Sequence, residues 1–177
     1  MKKVFAVLGL CLLALTAHNT MGQVKYDKGD ILLNFGIGAG YYYAGGVPFT
    51  ASAEFAINDL ISVGPYFGFT SYRYNASGFK FNYTFLDLGG RGSYHFGRHL
   101  NINTDQLDLY GGLMLGFVVS SYSDNSNFAT YNDPYGSAFR AGIFGGARWY
   151  FTKTFAANAE GGAGGLTPLL AGISFKL

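Results

Sequence analysis

Apolar side chains recur at every second position along most of this chain. After the first two dozen residues they never run unbroken for the ~20 positions that a membrane-spanning helix needs. The final segment shows the pattern most clearly. Leu169, Ala171, Ile173, Phe175 and Leu177 alternate with Leu170, Gly172, Ser174 and Lys176. Successive side chains of a strand point to opposite faces, so such a segment has one apolar face and one face that is polar or small.

Eight runs of this kind can be read from the sequence. The first carries Ile31, Leu33, Phe35, Ile37, Ala39 and Tyr41 on its apolar face, opposite Asn34 and three glycines. The second sets Phe49, Ala51, Ala53, Phe55 and Ile57 against Glu54, and the third sets Ile61, Val63, Phe67 and Phe69 against Tyr66. A fourth runs down to His95-Phe96. The fifth has Leu107 to Val119 opposite Asp108, Tyr110 and Gly112, and the sixth has Phe139 to Trp149 opposite Arg140 and Arg148. The seventh has Phe155 to Ala163 opposite Asn158 and Glu160, and the segment ending at Leu177 is the eighth. Most approach the 9–11 residues with which a tilted strand crosses a bilayer.

Composition decides what lies against the apolar faces. Charged residues make up 12% of the chain, about half the usual ~25%, while aromatics reach 18% and there are 27 glycines. A soluble domain of this size needs a charged exterior, and this one lacks it. Backbone groups in lipid must be hydrogen-bonded within the protein, and strands achieve this only by closing on themselves. The expected fold class is therefore all-β: an eight-stranded antiparallel up-and-down transmembrane β-barrel.

Two places strain the pattern. In the fourth run Phe81, Tyr83 and Phe85 share a parity with Asp87 and Arg91. An arginine facing lipid near the midplane costs about 2–4 kcal/mol, so Leu86, Leu88 and Tyr94 are pointed outward instead. The aromatics above are then expected to lie beyond the membrane or to follow a bulge. Pro65 interrupts the third run, where a bulge or a missing ladder bond is expected.

The first residues form an export signal: Lys2 and Lys3, an apolar stretch from Val4 to Thr16, then His18, Asn19, Thr20 and Gly22. Residues 1–22 are expected to be removed, leaving a barrel domain over 23–177. Cys11 would suit a lipid anchor, but the apolar run continues through Leu12, Leu13, Ala14 and Leu15. Cleavage leaves no cysteine, hence no disulfide. Losing Lys2 and Lys3 from 12 bases and 10 acids leaves 10 of each, so no basic excess remains to call for nucleic acid.

With both ends in the periplasm, the short turns fall at Asn58-Asp59, about Phe96–Gln106 and Phe151–Thr154. The outer loops then fall at Tyr42–Pro48, Tyr72–Phe79, Tyr122–Gly136 and Gly164–Pro168. Aromatics gather at two levels, with Tyr41, Phe49, Phe69, Tyr122 and Phe139 at one and Tyr94, Phe96, Trp149, Phe151 and Phe175 at the other. Signal, eight runs, two belts and terminal strand resemble the small eight-stranded outer-membrane barrels of the OmpA/OmpX type. Asp87-Leu-Gly-Gly-Arg-Gly-Ser-Tyr-His95 and Leu109-Tyr-Gly-Gly-Leu113 are similar to segments of the porin-like outer-membrane-protein β-barrel domain family. The resemblance spans residues 29 to 177 and offers no catalytic residues to transfer. It implies an outer-membrane location in a diderm bacterium, contact with outer-membrane lipid, and delivery by the barrel assembly machinery through the strand Leu169, Ala171, Ile173, Phe175, Leu177. The final residue of that strand is Leu where Phe is usual.

Chemistry-bearing patterns are sparse. Gly36-Ile-Gly38-Ala-Gly40 has no helix after it and the wrong spacing for a nucleotide loop, so these glycines are read as making room in a narrow lumen. Gly112, also facing inward, is expected to accept Ser. Ser93 and His95 share a strand face. Lipid A deacylase barrels carry a His and a Ser at this separation in the opposite order on the lipid-facing side, whereas here both face inward without an assigned acid. His95 and His99 are too few for a metal site. No catalytic, cofactor-binding or metal residue is therefore assigned. The facing does place Glu54, Asp87, Asp108 and Glu160 in the lumen with Arg91, Arg140, Arg148 and Lys176, four acids against four bases. Buried charges persist when paired, so this set is read as a cross-linked plug, with Arg91 near the middle and within reach of Glu54, Asp108 or Glu160. The sequence reading is a monomeric, non-enzymatic outer-membrane barrel with a structural role or one of binding through its outer loops. A narrow channel for ions or small solutes, a lipid-modifying enzyme and a soluble ligand-binding barrel are the alternatives.

Overall fold

The computed structural model describes residues 26–40, 46–76, 79–100, 104, 106–124 and 136–177. The export signal, Tyr41 and most of the third outer loop lie outside the described residues. Eight strands follow in order: β1 Ile31–Ala39, β2 Phe49–Ala56, β3 Ile61–Ala76, β4 Phe79–His95, β5 Leu107–Asp124, β6 Ala138–Tyr150, β7 Phe155–Ala163 and β8 Leu169–Lys176. Each pairs antiparallel with its sequence neighbour, and β8 closes onto β1, giving a closed barrel. The closure runs from Leu32↔Lys176 to Ala39↔Leu169, and Leu177 adds mutual backbone bonds with Ile31 at 2.9 and 3.0 Å. The last residues of the chain are thus part of the seam. One end of the barrel carries the chain ends and the turns 57–60 and 151–154, and is called here the terminal end. The other carries residues 46–48 and 164–168 and is called the loop end.

Alternation sorts the faces as its period requires. Leu113, Phe139 and Ile143 point outward with 64, 69 and 62% of their surface exposed, and Phe35, Phe67, Leu88, Leu115 and Ile173 join them in the same exterior band. Tyr110, Phe144, Glu54, Arg148 and Ser174 point inward and are buried. Eight strands leave a bore that side chains can fill. Tyr26, Leu32, Ala56, Tyr150 and Ala156 form an apolar layer at the terminal end. Phe85, Val118 and Leu166, with Tyr72 and Tyr83 against them, form a second layer toward the loop end. Between the two lies a polar layer. Aromatic rings collect at the terminal end, where Phe155 lies 5.4 Å from Phe175 and 5.9 Å from Phe151 between ring centres.

Three expectations change, and a fourth, at Pro65, is narrowed. The β3–β4 register is unbroken from Ile61↔Tyr94 to Ala76↔Phe79, so no bulge separates the aromatics from Asp87. Phe85 keeps the parity of Asp87 and turns into the interior, where Val118 and Leu166 make an apolar seat for it. The same ladder shrinks the second outer loop from Tyr72–Phe79 to residues 77–78, because Ser71–Thr84 (3.2 Å) and Arg73–Asn82 (2.8 Å) side-chain bonds reinforce cross-strand pairing beyond the barrel wall. At Pro65 the β2–β3 ladder skips from Ser52↔Tyr66 to Phe55↔Val63 in constant register, so of the two outcomes expected there the missing ladder bond occurs and the bulge does not. A proline has no N–H to give to that rung. Finally, Gly112 cannot accept a side chain easily. A Cβ there would sit 2.0 Å from the Gly92 carbonyl oxygen and 2.7 Å from the Phe144 ring. The constraint is the closeness of the neighbouring strand's backbone, not only the width of the lumen.

Candidate functional site

The polar layer is organised around Glu54, which is fully buried on β2. Its Oε1 lies 3.2 Å from Arg91 Nε and 3.4 Å from Arg148 Nη2, and accepts a bond from the Asn34 amide at 3.1 Å. Its Oε2 accepts the hydroxyls of Ser62 (2.8 Å) and Ser93 (2.5 Å), which face each other across the β3–β4 ladder. Four donors from four other strands therefore bond one carboxylate, and the Arg91 guanidinium lies beside it as a further positive charge. Such a group is the kind that stays charged in an interior, because every lone pair has a partner.

Two arginines distribute the remaining charge. Arg91 makes a two-pronged contact with Glu160, Nη1–Oε1 at 3.2 Å and Nη2–Oε2 at 2.7 Å, and lays its guanidinium 3.9 Å over the centre of the Phe144 ring. Arg148, with no exposed surface, donates to Asp108 Oδ2 at 2.8 Å and to Asn34 Oδ1 at 3.1 Å, and stacks 3.8 Å over Tyr110. Asn34, Ser174 and Asn158 extend the chain of bonds toward β7 at 2.6–2.7 Å. Asp108 also accepts the Tyr26 hydroxyl at 2.7 Å, and Tyr26 meets the Tyr150 hydroxyl at 2.9 Å. Burial, with the charge of Asp108 adding to it, pushes the Tyr26 phenol well above its ordinary pKa, so it remains a donor.

Of the eight charges placed in the lumen from sequence, five join this cluster: Glu54, Arg91, Asp108, Arg148 and Glu160. Arg91 reaches Glu54 and Glu160, while Asp108 belongs to Arg148. Lys176 does not join, because it turns to Asp30 at the terminal rim, 3.2 Å away, with both side chains about one-fifth exposed. Arg140, on β6, is the positive charge that acts on Asp87. Asp87 is fully buried, with the Tyr66 hydroxyl beside its carboxylate. Among the described residues the four-against-four balance thus becomes four acids against three arginines inside the bore.

Ser93 and His95 do not pair with each other. The serine at His95 is Ser62, 3.0 Å from Nε2, and Asp108 lies 3.1 Å from Nδ1. Ser62, His95 and Asp108 have the order of a nucleophile, base and orienting acid. Ser62 is on a different strand, so spacing along the sequence gave no sign of it. Its hydroxyl already donates to Glu54, it has no exposed surface, and Tyr26 lies against the imidazole with ring centres 4.5 Å apart. The array serves as a bonded part of the plug. His99 stands apart on Tyr94, 2.9 Å from its hydroxyl. Among the described residues no group of three His, Cys, Asp or Glu could hold a metal ion.

No protein-family model matches this chain, and no curated protein matches it. Solved structures do. A designed transmembrane β-barrel aligns with a TM-score of 0.51 at 18% identity, covering 86% of this chain and 99% of its own. Ail, the attachment invasion locus protein of Yersinia pestis, aligns with a TM-score of 0.50 at 14% identity, covering 84% of this chain and 95% of its own. The structure of that outer-membrane protein in a phospholipid bilayer nanodisc also gives 0.50, at 12% identity, over 86% and 100%. At these identities the likeness is one of fold.

Proposed function

We propose that this chain is an integral outer-membrane barrel of a diderm bacterium, a monomer without enzymatic activity, sealed by its internal charge cluster and presenting a binding surface at its loop end. The observation that carries the reading is the inverted distribution of polarity. Large apolar side chains encircle the outside while Glu54, Arg148, Asp108 and Ser62 fill the inside. In water that exterior would be a single apolar patch far above the few hundred Å² that soluble monomers expose, whereas in lipid it is the solvated surface.

Binding is supported by unequal strand lengths. β3, β4 and β5 have 16, 17 and 18 residues, against 8 or 9 for β1, β2, β7 and β8. The β2–β3 ladder ends at Phe49↔Phe69, yet β3 and β4 pair for seven more rungs, about 20 Å of strand at ~3.3 Å per residue. A barrel needing only to close has no use for this extension. Its polar outer residues Ser71, Arg73, Asn82 and Thr84 would meet water beyond the headgroups.

The test is fractionation with heat modifiability. The folded protein should sediment with outer membranes and change gel mobility on boiling. A soluble protein of constant mobility refutes the membrane reading. Planar-bilayer recording addresses the channel alternative: a plug with two apolar layers and a bonded core should give no steady conductance, and reproducible channels would replace this reading with transport.

A further inference from the structure

The exterior apolar band is not smooth. Where β8, β1, β2 and β3 lie side by side, a groove of about 490 Å³ opens in it, within the roughly 300–1,000 Å³ of pockets that take whole small molecules. Its shape follows from the ladder register. Ile37↔Ala171 and Ile37↔Phe49 set one outward row, and Phe35↔Ile173, Phe35↔Ala51 and Ala51↔Phe67 set the next row toward the terminal end. Between the rows come Gly36, Gly172 and Thr50, whose parity belongs to the lumen, so their backbone floors the groove. Phe35, Ile37, Phe49, Phe67 and Ile173 stand up as walls, with 41–53% of their surface uncovered. Ala51 and Ala171, with one methyl each, leave a notch in either row.

Position and chemistry together select the occupant. Phe35 is the central residue of β1, and Gly172 and Ile173 are the centre of β8, so the groove lies at mid-height on the lipid-facing wall and is continuous with the rest of that interface. A peptide entering there would bring backbone N–H and C=O groups with nothing to pair them. A second copy related by a two-fold axis would set this concave face against its own image and leave the hollow unfilled. A methylene chain has no polar group to satisfy, and the lining offers none except Thr50, whose side chain has the lumen parity.

We propose that this groove holds one acyl chain of a membrane phospholipid, laid across the β8–β1 seam. The site rests on the membrane reading above and adds to it a defined place on the wall where a lipid is retained. A chain in the groove touches protein on its floor and on both sides, whereas a chain against a flat wall touches it along one side, and retention comes from those added contacts. It also covers Gly36↔Gly172, a central pair of the ladder that closes the barrel.

The experiment folds the protein into vesicles of a single phosphatidylcholine with saturated chains, transfers it to detergent and weighs it intact by mass spectrometry. The folded barrel should leave the vesicle carrying one phospholipid. Ala51→Phe puts a ring into the notch between Phe35 and Phe67 and should lower the lipid-carrying fraction about tenfold. Ala141→Phe, at an exposed outward position on β6 away from the groove, should carry lipid as the parent does. Should Ala51→Phe fail to fold, Ala171→Phe takes its place. A parent that folds, as boiling-dependent mobility reports, yet carries no lipid overturns the site and leaves the membrane reading standing. Lipid retained equally by the parent and the groove-filling variant does the same. A dimer mass in place of the lipid-bearing monomer gives the groove to a second copy and overturns the site too. A parent that never enters vesicles defeats the membrane reading itself, and this site with it.

Discussion

Arg91→Met isolates the energetics of the plug. In the parent, Arg91 is the one bonded charge partner of Glu160 among the described residues, whereas Glu54 is shared with Arg148. Removing the guanidinium therefore leaves Glu54 compensated and Glu160 exposed to the full cost of an unpaired buried carboxylate. Both side chains of the broken pair are 9% exposed, so solvent offers little rescue. Breaking such a pair costs about 3–5 kcal/mol, and the lost contact with Phe144 adds roughly 1 kcal/mol. Met preserves much of the volume, which keeps a cavity contribution out of the measurement. Glu160→Met should cost less, because Arg91 retains Glu54. The double variant leaves no orphaned charge and should recover most of the loss, giving a coupling energy of about 2 kcal/mol or more. Urea titration of protein folded into lipid vesicles, followed by boiling-dependent gel mobility, measures all three. If the two single losses add within about 0.5 kcal/mol, Arg91 and Glu160 are solvated separately and the sealed-plug account fails.

Leu113→Arg places a charge on the exterior band and should slow or block insertion at a cost of about 2–4 kcal/mol, while Leu113→Phe inserts normally; equal insertion yields of the two in a vesicle-folding assay would refute the facing of β5. Gly112→Ala should lower folding yield in the same assay despite its small size, because its Cβ meets the Gly92 carbonyl at 2.0 Å, and parent-like yield and stability would show that β4 and β5 separate without cost. Deleting Phe175–Leu177 removes the rungs Leu33↔Phe175 and Leu32↔Lys176 together with the Leu177–Ile31 bonds, so outer-membrane accumulation should be lost while export continues. Normal levels of the truncated protein in outer-membrane fractions would reject the assembly role.

The sequence by itself determined the number of strands and the facing of their side chains. A strand's period of two is a local property, and a chain short of charge has only one way to satisfy both its backbone and its apolar faces. Leu113, Ile143 and Phe139 outside, and Glu54, Asp108 and Arg148 inside, follow from parity alone. Which inward charge meets which was decided by the tertiary structure. Opposite walls come together according to the stagger at which the strands close, and parity carries no information on height along the axis. Arg91 finds Glu160 at a distance of 69 residues, and Ser62 takes the place beside His95 that Ser93, two residues from it in sequence, does not occupy. Lys176 has the parity of a lumen residue but sits one rung from the rim, so it reaches Asp30. Close approach of the β4 backbone, and not lumen width, fixes Gly112. Asp87 was legible as an interior acid, but its neighbours Tyr66 and Arg140 were not, because a charge's surroundings are known only once the strands are fixed in space.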